Sequence, residues 1–200
     1  MFKIKIMFFS ILIIASQVHA LETGDAAPGF LARDREGKTI ELSSYLGDRN
    51  VLLVFSRYIG CSWCQMFIID LHHNREKIKG TGAEVIIISN STKDVMEGYN
   101  PPEDFSFILI PDREMRLYEL YGLKMEKRGY TGNVIWQSIR FLGYLVDYDW
   151  VKGGLEGEHY QPPACMIIGK DGRIKYIHIG KDVADNPRIE LIVEELRKLK

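Results

Sequence analysis

The chain has 200 residues, of which 46% are hydrophobic and 26% are charged, and its formal net charge is −1. This length and balance predict a single globular domain of helices and strands with a substantial core. A nearly neutral charge argues against binding to nucleic acid or to an anionic membrane surface, because both favour basic patches.

The first 20 residues predict an export signal. Lys3 and Lys5 precede an apolar run from Ile6 to Ala15, and a short polar stretch then ends at Ala20. A membrane-spanning helix needs about 17–25 apolar residues, so this run is too short to be one. We expect cleavage after Ala20, which removes two lysines and changes the formal charge from −1 to −3. The mature domain, residues 21–200, is then expected in the periplasm or outside the cell, without membrane attachment.

Apolar patterning predicts an α/β sheet in the first part of the mature domain. Alternation of polar and apolar residues indicates a strand in a hairpin, and continuous apolar runs indicate central strands covered on both faces. Phe67, Leu71 and Ile78 lie on one face of a predicted helix. The predicted elements are the strands Lys38–Leu42 and Val51–Phe55, the helix Gln65–Lys79, the strands Val85–Ile88 and Phe105–Ile110, and the helix Arg113–Tyr121. A strand, a helix and a strand in succession predict a right-handed parallel crossover.

Residues 124–160 fit this pattern least, and we expect an insertion or lid there that includes a helix at Val134–Tyr148. The sheet pattern then returns around a turn at Lys170–Arg173. The predicted strands on either side of that turn are Cys165–Ile168 and Ile174–Ile179. A final helix is expected to begin at Asn186 as N-cap and Pro187 as first helical residue. Its predicted buried residues are Ile189, Ile192, Val193 and Leu196.

Two of the three cysteines, Cys61 and Cys64, are separated by only two residues. A disulfide across so short a loop removes little entropy from the unfolded chain, since the stabilisation grows with loop length. The odd number of cysteines also leaves at least one thiol outside any intramolecular bridge. The spacing therefore favours a dithiol that opens and closes over a structural bridge.

The segment Cys61-Ser62-Trp63-Cys64 lies where a predicted buried strand gives way to a predicted helix. Backbone N–H groups and the dipole at a helix N-terminus stabilise a thiolate, which is the nucleophilic form of cysteine. One sulfur can attack, and the other can resolve the mixed disulfide or sulfenic acid that results. In this context the motif predicts a thioredoxin-like redox site, with Cys61 and Cys64 as catalytic residues and as the redox-active disulfide.

Three segments of the chain resemble a known family. They are Gly24–Phe30, with Gly-Asp-x-Ala-Pro-x-Phe; Leu109–Leu123, which ends in Leu-Tyr-Gly-Leu; and Pro163–Ile174, with Pro-Ala-x-Met-Ile-Ile-x-Lys-Asp-Gly-Arg-Ile. They are similar to the alkyl hydroperoxide reductase/thiol-specific antioxidant (AhpC/TSA) group, the peroxiredoxin-like branch of the thioredoxin-like superfamily. The resemblance covers most of residues 22–200. It implies an α/β thioredoxin-like fold, with a central mixed sheet flanked by helices and an N-terminal hairpin extension.

The dithiol loop departs from typical peroxiredoxins, which have Pro and Thr seven and three positions before the peroxidatic cysteine. If Cys64 holds that place, the corresponding residues are Arg57 and Cys61. The loop instead resembles that of peroxiredoxin-like proteins with Arg, Gly and a Cys-x-x-Cys motif. Dithiol exchange is therefore favoured over peroxide turnover. The attacking sulfur is Cys61 by similarity to thioredoxins, or Cys64 by similarity to peroxiredoxins.

Other residues are candidates for supporting roles. The resemblance implies that Pro163 is the cis-proline that lies against the dithiol in this fold. Trp63 is expected to cover the sulfurs or guide partners, or else to be a plain exposed aromatic. Cys165 is expected to be a small buried core residue, with a resolving role as the minor alternative. Arg57 and Arg140 can stabilise a thiolate, although surface salt bridges are the favoured interpretation for both.

His72 and His73 follow the dithiol along the predicted helix. Together with Cys61 and Cys64 they would supply a set of ligands suited to zinc or copper. Adjacent helical residues point about 100° apart, and both histidines lie more than two turns from the cysteines. Solvated histidines are therefore the favoured interpretation, and no metal or other cofactor is predicted.

The sequence as a whole predicts an enzyme, a thiol–disulfide oxidoreductase that acts on protein thiols or disulfides or on a small oxidant. One alternative is a thiol-dependent peroxidase that uses Cys64. Another is a metal-handling or non-catalytic binding domain that kept the fold. Whether the couple oxidises or reduces its partners depends on its reduction potential, which varies by about 150 mV among Cys-x-x-Cys proteins of this fold.

Overall fold

The structure is a computed structural model that describes residues 20–123, 161–182 and 184–200. Nearly all of the predicted signal segment and the whole of the expected insertion, with its predicted helix and Arg140, lie outside these residues. No helix in the described part of the chain is long and apolar enough to cross a membrane.

The strands and helices of the described residues follow the predicted order, to which the structure adds a strand at Leu31–Arg33 and a short helix at Lys93–Glu97. In chain order, the strands are β1 (Leu31–Arg33), β2 (Thr39–Glu41), β3 (Val51–Ser56), β4 (Glu84–Ser89), β5 (Ile108–Pro111), β6 (Ala164–Ile168) and β7 (Ile174–Ile179). The helices are α1 (Ser62–His73), α2 (Arg75–Lys79), α3 (Lys93–Glu97), α4 (Arg116–Leu120) and α5 (Ile189–Arg197).

The main sheet has the strand order β5-β4-β3-β6-β7. The central strand, β3, pairs in parallel with β4 and antiparallel with β6. On the outside, β5 pairs in parallel with β4, and β7 pairs antiparallel with β6. The first two strands form a separate antiparallel hairpin, which is the predicted N-terminal extension. The predicted mixed α/β sheet flanked by helices is therefore confirmed.

Two hydrophobic layers cover the two faces of this sheet. Successive residues of a strand point to opposite sides, so β3 contributes to both layers. Leu52 and Val54 pack with residues of α1, α2 and α5, whereas Val51, Leu53 and Phe55 pack with residues of α4 and the hairpin. Every residue of β3 is buried, as the continuous apolar run predicted.

The helix after β3 is divided, whereas the sequence predicted one helix up to Lys79. It stops at His73, and Asn74 interrupts it with φ −100° and ψ 12° before α2 begins. The side-chain amide of Asn74 donates to the carbonyl of Asp70 at 2.9 Å, a local bond that competes with the helical pattern. The three residues of the predicted apolar stripe remain buried in one layer.

Two other elements begin later than predicted. The strand predicted at Phe105–Ile110 starts at Ile108, because the N–H of Phe105 is used in a turn, where it donates to the Pro102 carbonyl at 3.0 Å. The last helix starts after an extended N-cap residue, Arg188, so the prediction of Asn186 as N-cap is wrong. The N–H of Asn186 donates to the Ala184 carbonyl at 2.9 Å in the turn that precedes the helix. The predicted buried face is confirmed at Ile189, Ile192, Val193 and Leu196.

The start of α4 is fixed by the carboxylate of Asp112, and the helix is shorter than the predicted Arg113–Tyr121. The two carboxylate oxygens accept the N–H groups of Arg116 at 3.0 Å and Leu117 at 2.7 Å. Met115, the residue directly before α4, adopts a left-handed conformation with φ 59°. The side chain of Asp112 therefore satisfies N–H groups that the first turn of a helix leaves without partners.

Replacing Asp112 with alanine should lower the free energy of unfolding by about 1–2 kcal/mol, because the N–H groups at the start of α4 lose their acceptors. Urea unfolding followed by circular dichroism measures the change. Asp112→Asn is the matched control: it keeps a carbonyl acceptor and should lose less stability. An alanine variant as stable as the unchanged chain would contradict the capping role.

Candidate active site

The two predicted catalytic cysteines come together at the carboxyl end of β3. Residues 57–61 form a short loop, Cys61 is the N-cap of α1 in an extended conformation, and Cys64 lies in the first turn. Both are free thiols and both are buried, with 2% and 3% of their surface exposed. Tyr58 and Trp63 pack around them. The strand-to-helix junction expected from the sequence is therefore the place where the dithiol lies.

Arg57 is buried beside this dithiol, with 2% of its surface exposed. Its Nη2 donates to the Sγ of Cys61 at 2.7 Å, and its guanidinium carbon lies 5.6 Å from the centre of the Tyr58 ring. The expected surface salt bridge is therefore wrong for Arg57. The side chain turns inward because the sulfur and the aromatic ring supply its contacts there.

Buried polar side chains from β4, from the residues after it and from α1 hold this loop in place. The hydroxyl of Ser89 donates to the Arg57 carbonyl at 2.6 Å. The hydroxyl oxygen of Ser91 accepts the N–H of Ile59 at 2.7 Å, and the Gln65 amide donates to the Ile59 carbonyl at 2.7 Å. Because each bond satisfies a backbone group of the loop, the loop is buried without unpaired N–H or C=O groups at these positions.

Sequence reasoning did not identify these supporting residues. A signal was available, because Ser89-Asn90-Ser91 is a polar triplet directly after a buried apolar strand. The parallel register pairs Ser56 with Ser89, so the ends of β3 and β4 lie side by side. At the same edge, the hydroxyl of Tyr118 contacts the carbonyl oxygens of Ser56 and Ile88. The capped α4 thus supports the strand end from which the dithiol loop leaves.

The two sulfurs share one negative charge. Burial alone would raise the pKa of Cys64, but the hydrogen bond from Cys61 and the positive charge of Arg57 lower this pKa to about 6. The pKa of Cys61 is raised, because its thiol bonds to Cys64, is buried and faces the charge there. Arg57 contacts the sulfur of Cys61 and so favours a thiolate there. The hydrogen bond from the Cys61 thiol to Cys64, however, gives Cys64 the lower pKa of the two. We therefore assign the charge to the pair.

Cys165 takes no part in this pair. It lies in β6, between Val54 of β3 and His178 of β7, and it is buried in the core. Burial raises the pKa of the Cys165 thiol far above its usual range, so this thiol stays protonated. The prediction of a small buried core residue is confirmed.

Pro163 directly precedes β6. Since Phe55 pairs with Ala164, the antiparallel register brings Pro163 beside the end of β3, at the edge where the dithiol loop begins. All peptide bonds of the described residues are trans, so the expectation of a cis bond at Pro163 is wrong. The Pro163 carbonyl accepts the N–H of Gly180 at 2.8 Å.

Trp63 lies between the two cysteines in the sequence, is half-buried and packs against them. It also lines a groove of about 320 Å³ between α1 and the segment that leads into α5. Met66, Phe67 and Pro187 contribute apolar surface to this groove, and charged residues lie along it as well. The structure thus gives Trp63 contact with the sulfurs and a place on a groove beside them.

A model of the AhpC/TSA family matches residues 23–177. The chain belongs to the AhpC/TSA family. Peroxiredoxin Bcp of Escherichia coli K12 is 26% identical over 132 residues, which are 66% of this chain and 83% of that protein. Membership and this relative place the chain among the peroxiredoxin-like redox proteins.

Solved structures share the fold of this AhpC/TSA chain. Peroxidoxin BcpB of Mycobacterium tuberculosis superposes with a TM-score of 0.62 at 16% identity, over 90% of this chain and 99% of that one. A protein of Chlorobium tepidum, provisionally named thiol:disulfide interchange protein DsbE, superposes with a TM-score of 0.56 at 22% identity, over 88% and 99%. The predicted thioredoxin-like fold is therefore confirmed.

The two histidines of this AhpC/TSA chain have different environments. His73 is exposed, whereas His72 is buried, so the prediction of two solvated side chains is wrong for His72. The ring of His72 stacks on Phe105 with centroids 5.8 Å apart, and its Nε2 lies 3.3 Å from a carboxylate oxygen of Asp104. Burial lowers the pKa of His72. Within the described ranges, no group of three or more His, Cys, Asp or Glu residues is arranged to hold a metal ion.

The reduced AhpC/TSA chain should form its first thiolate with a midpoint near pH 6, because Cys61 and Arg57 lower the pKa of Cys64 to about that value. An ordinary cysteine titrates near about 8.5. The thiolate should be present above the midpoint and disappear as the pH falls through it, and its ultraviolet absorbance measures this. The control, with both Cys61 and Cys64 replaced by serine, should lack the step. A midpoint at or above the ordinary value would contradict the shared charge.

Proposed function

We propose that this chain is a thiol–disulfide oxidoreductase in which Cys61 and Cys64 cycle between dithiol and disulfide. The proposal depends on one observation, the pair of buried thiols that lie together beside the guanidinium of Arg57. A thiolate with a second thiol in reach can attack a disulfide and then close on itself. Membership in the AhpC/TSA family supports redox chemistry at this position of the fold.

In this proposal Cys64 attacks, because it has the lower pKa of the two. Its thiolate bonds to one sulfur of a partner disulfide, the partner's S–S bond breaks, and the other partner sulfur leaves as a thiolate. The thiol of Cys61 then loses its proton and attacks Cys64, which releases the second partner thiolate. Two electrons pass to the partner, and a Cys61–Cys64 disulfide remains. The reverse sequence hands that disulfide to a partner dithiol.

We infer that the partners are protein thiols or disulfides, with a small oxidant as the simpler alternative. The half-buried Trp63, which packs against both cysteines, would offer such a partner an apolar surface beside the dithiol. The signal segment predicted over residues 1–20 supports a location in the periplasm or outside the cell. Disulfides persist in those compartments, which suits a couple that cycles through one.

The Cys61–Cys64 disulfide should form reversibly when the mature chain is equilibrated with mixtures of reduced and oxidised glutathione. One sulfur of the reduced pair is a thiolate that can attack, and the Cys-x-x-Cys spacing keeps the second sulfur close enough to form the disulfide. Alkylation of free thiols followed by peptide mass mapping counts each state. If Cys61 and Cys64 never pair, or if their disulfide does not reopen, the proposal is wrong.

Single variants separate the two cysteines in the same experiment. Cys61→Ser should accumulate more glutathione on Cys64 than the unchanged chain does, because the chain has lost the neighbouring thiol that resolves the mixed disulfide. Cys64→Ser should react more slowly, because the thiol with the lower pKa is gone. Cys165→Ala should behave as the unchanged chain does, since Cys165 is buried away from the pair. Faster trapping on Cys61 than on Cys64 would reverse the assignment of the attacking sulfur.

Peroxide reduction is a second candidate, which the family and the named peroxiredoxin relative favour. The thiolate of Cys64 would attack one peroxide oxygen, form a sulfenic acid and release hydroxide or an alkoxide. The thiol of Cys61 would then displace water from that sulfur and form the same disulfide. Against this candidate, Arg57 and Cys61 stand where typical peroxiredoxins have Pro and Thr.

Hydrogen peroxide should oxidise Cys64 no faster than it oxidises a small-molecule thiol at the same fraction of thiolate. The reason is that the residues expected to bind peroxide are replaced in this loop. Stopped-flow measurement of thiolate loss, with the double serine variant as blank, gives the rate. A rate far above the small-molecule value, with a sulfenic acid trapped in Cys61→Ser, would make peroxide reduction the primary function.

A further inference from the structure

The guanidinium of Arg57 is a fixed positive charge inside the dithiol site. It is buried, and its Nη2 donates to the Sγ of Cys61 at 2.7 Å. An arginine stays protonated at every pH that a folded protein meets. Water is largely excluded here, so the attraction between this cation and a neighbouring thiolate is weakly screened. Arg57 therefore acts directly on the charge state of the pair.

The loop that carries Arg57 is held from two elements of the fold. Ser89 at the end of β4 donates to the Arg57 carbonyl at 2.6 Å. Two residues further along, Ile59 is bound through its N–H by Ser91 and through its carbonyl by Gln65 of α1. None of these bonds involves a sulfur. Closure of the dithiol therefore leaves these anchors available, and they hold the backbone from which the guanidinium extends.

The attraction stabilises only one of these two states. The reduced pair carries a thiol and a thiolate, whereas the oxidised pair is a neutral disulfide. In the exchange, the thiol–thiolate pair and a partner disulfide become the Cys61–Cys64 disulfide, one partner thiol and one partner thiolate. The negative charge thus leaves the site, while the buried charge of Arg57 stays. Stabilising the reduced form of a dithiol makes its disulfide a stronger oxidant.

We propose, on the basis of the thiol–disulfide function above, that Arg57 raises the reduction potential of the Cys61–Cys64 couple and so favours transfer of its disulfide to partner thiols. The direction of exchange, which the Cys-x-x-Cys motif leaves open, is then set by a residue four positions before the first cysteine.

The test compares the unchanged chain with Arg57→Met in glutathione buffers. Without the cation, the disulfide should become more stable, and the equilibrium constant for its formation should rise at least about tenfold, equivalent to about 30 mV for a two-electron couple. Arg57→Lys keeps a charge without the planar fork and should shift the constant less, in the same direction. If Arg57→Met fails to fold, the lysine variant still decides the matter. An Arg57→Met constant within twofold of the unchanged chain, or a shift towards the dithiol, overturns the proposal.

A matched control removes a different arginine from the other end of β3. Arg49 precedes the strand, has 53% of its side chain exposed and pairs with Glu84 at 2.8 Å, so its charge is outside the site. Arg49→Met removes one positive charge without touching the dithiol loop, and its equilibrium constant should match that of the unchanged chain. An equal shift in Arg49→Met and Arg57→Met would attribute the effect to net charge and overturn the local role of Arg57.

The pH dependence gives a readout that a merely structural role would not change. With one thiolate in the reduced pair, disulfide formation against glutathione takes up a proton, so its constant should fall about tenfold per pH unit between about pH 6.5 and 7.5, below the usual thiol pKa. In Arg57→Met the pair loses the cation and keeps its second proton to higher pH, so the constant should fall less steeply with pH over this range. The same slope in both proteins would overturn the proposal.

The outcomes also separate this inference from the proposed function. If the disulfide does not form reversibly in the unchanged chain, the proposed function fails and the inference fails with it. If it forms reversibly and Arg57→Met keeps both the constant and its pH slope, the oxidoreductase stands and only the role of Arg57 is refuted.

Discussion

The chemistry of this site depends on a charged hydrogen bond in a dry environment, from the guanidinium of Arg57 to the sulfur of Cys61. Burial by itself would raise the pKa of both thiols and leave them unreactive near neutral pH. The same burial strengthens the attraction of a cation for a thiolate, because little water screens it. The pair therefore holds one negative charge although only 2% and 3% of the two cysteines is exposed.

The sheet supplies the place for this bond. The strand β3 is central and covered on both faces, so the dithiol loop begins at the carboxyl end of β3. The parallel neighbour β4 ends at the same edge of the sheet. That neighbour provides Ser89, and α1 provides Gln65, so the carbonyl groups of Arg57 and Ile59 have donors although they are buried. On the other face of the sheet, Tyr118 of α4 contacts the last carbonyl of β3. A rigid loop then keeps the cation at the sulfur.

Much of this arrangement was predictable from short-range patterns. The apolar run Val51–Phe55 became the buried central strand, and the Cys-x-x-Cys motif lay at the expected junction. The prediction of a continuous helix to Lys79 was wrong because Asn74 bonds locally to the backbone. Asp112 delayed the start of α4 in a similar way. In each case a side-chain hydrogen bond of a few residues' range decided where the element began or ended, and the periodicity of apolar residues does not encode such bonds.

Local patterns in the sequence predict the fold class, the pair of sulfurs and their position at the start of a helix, because strand and helix periods and the spacing of two cysteines are local properties. The tertiary structure decided which polar residues serve that pair. Arg57 carries no local sign that it is buried, and it became part of the site only when the loop folded inward against Cys61 and Tyr58. Ser89 reached the loop through the pairing of β4 with β3, strands separated by a whole helical crossover. Contacts between residues distant in sequence depend on the sheet register and on burial, and both exist only in the folded chain.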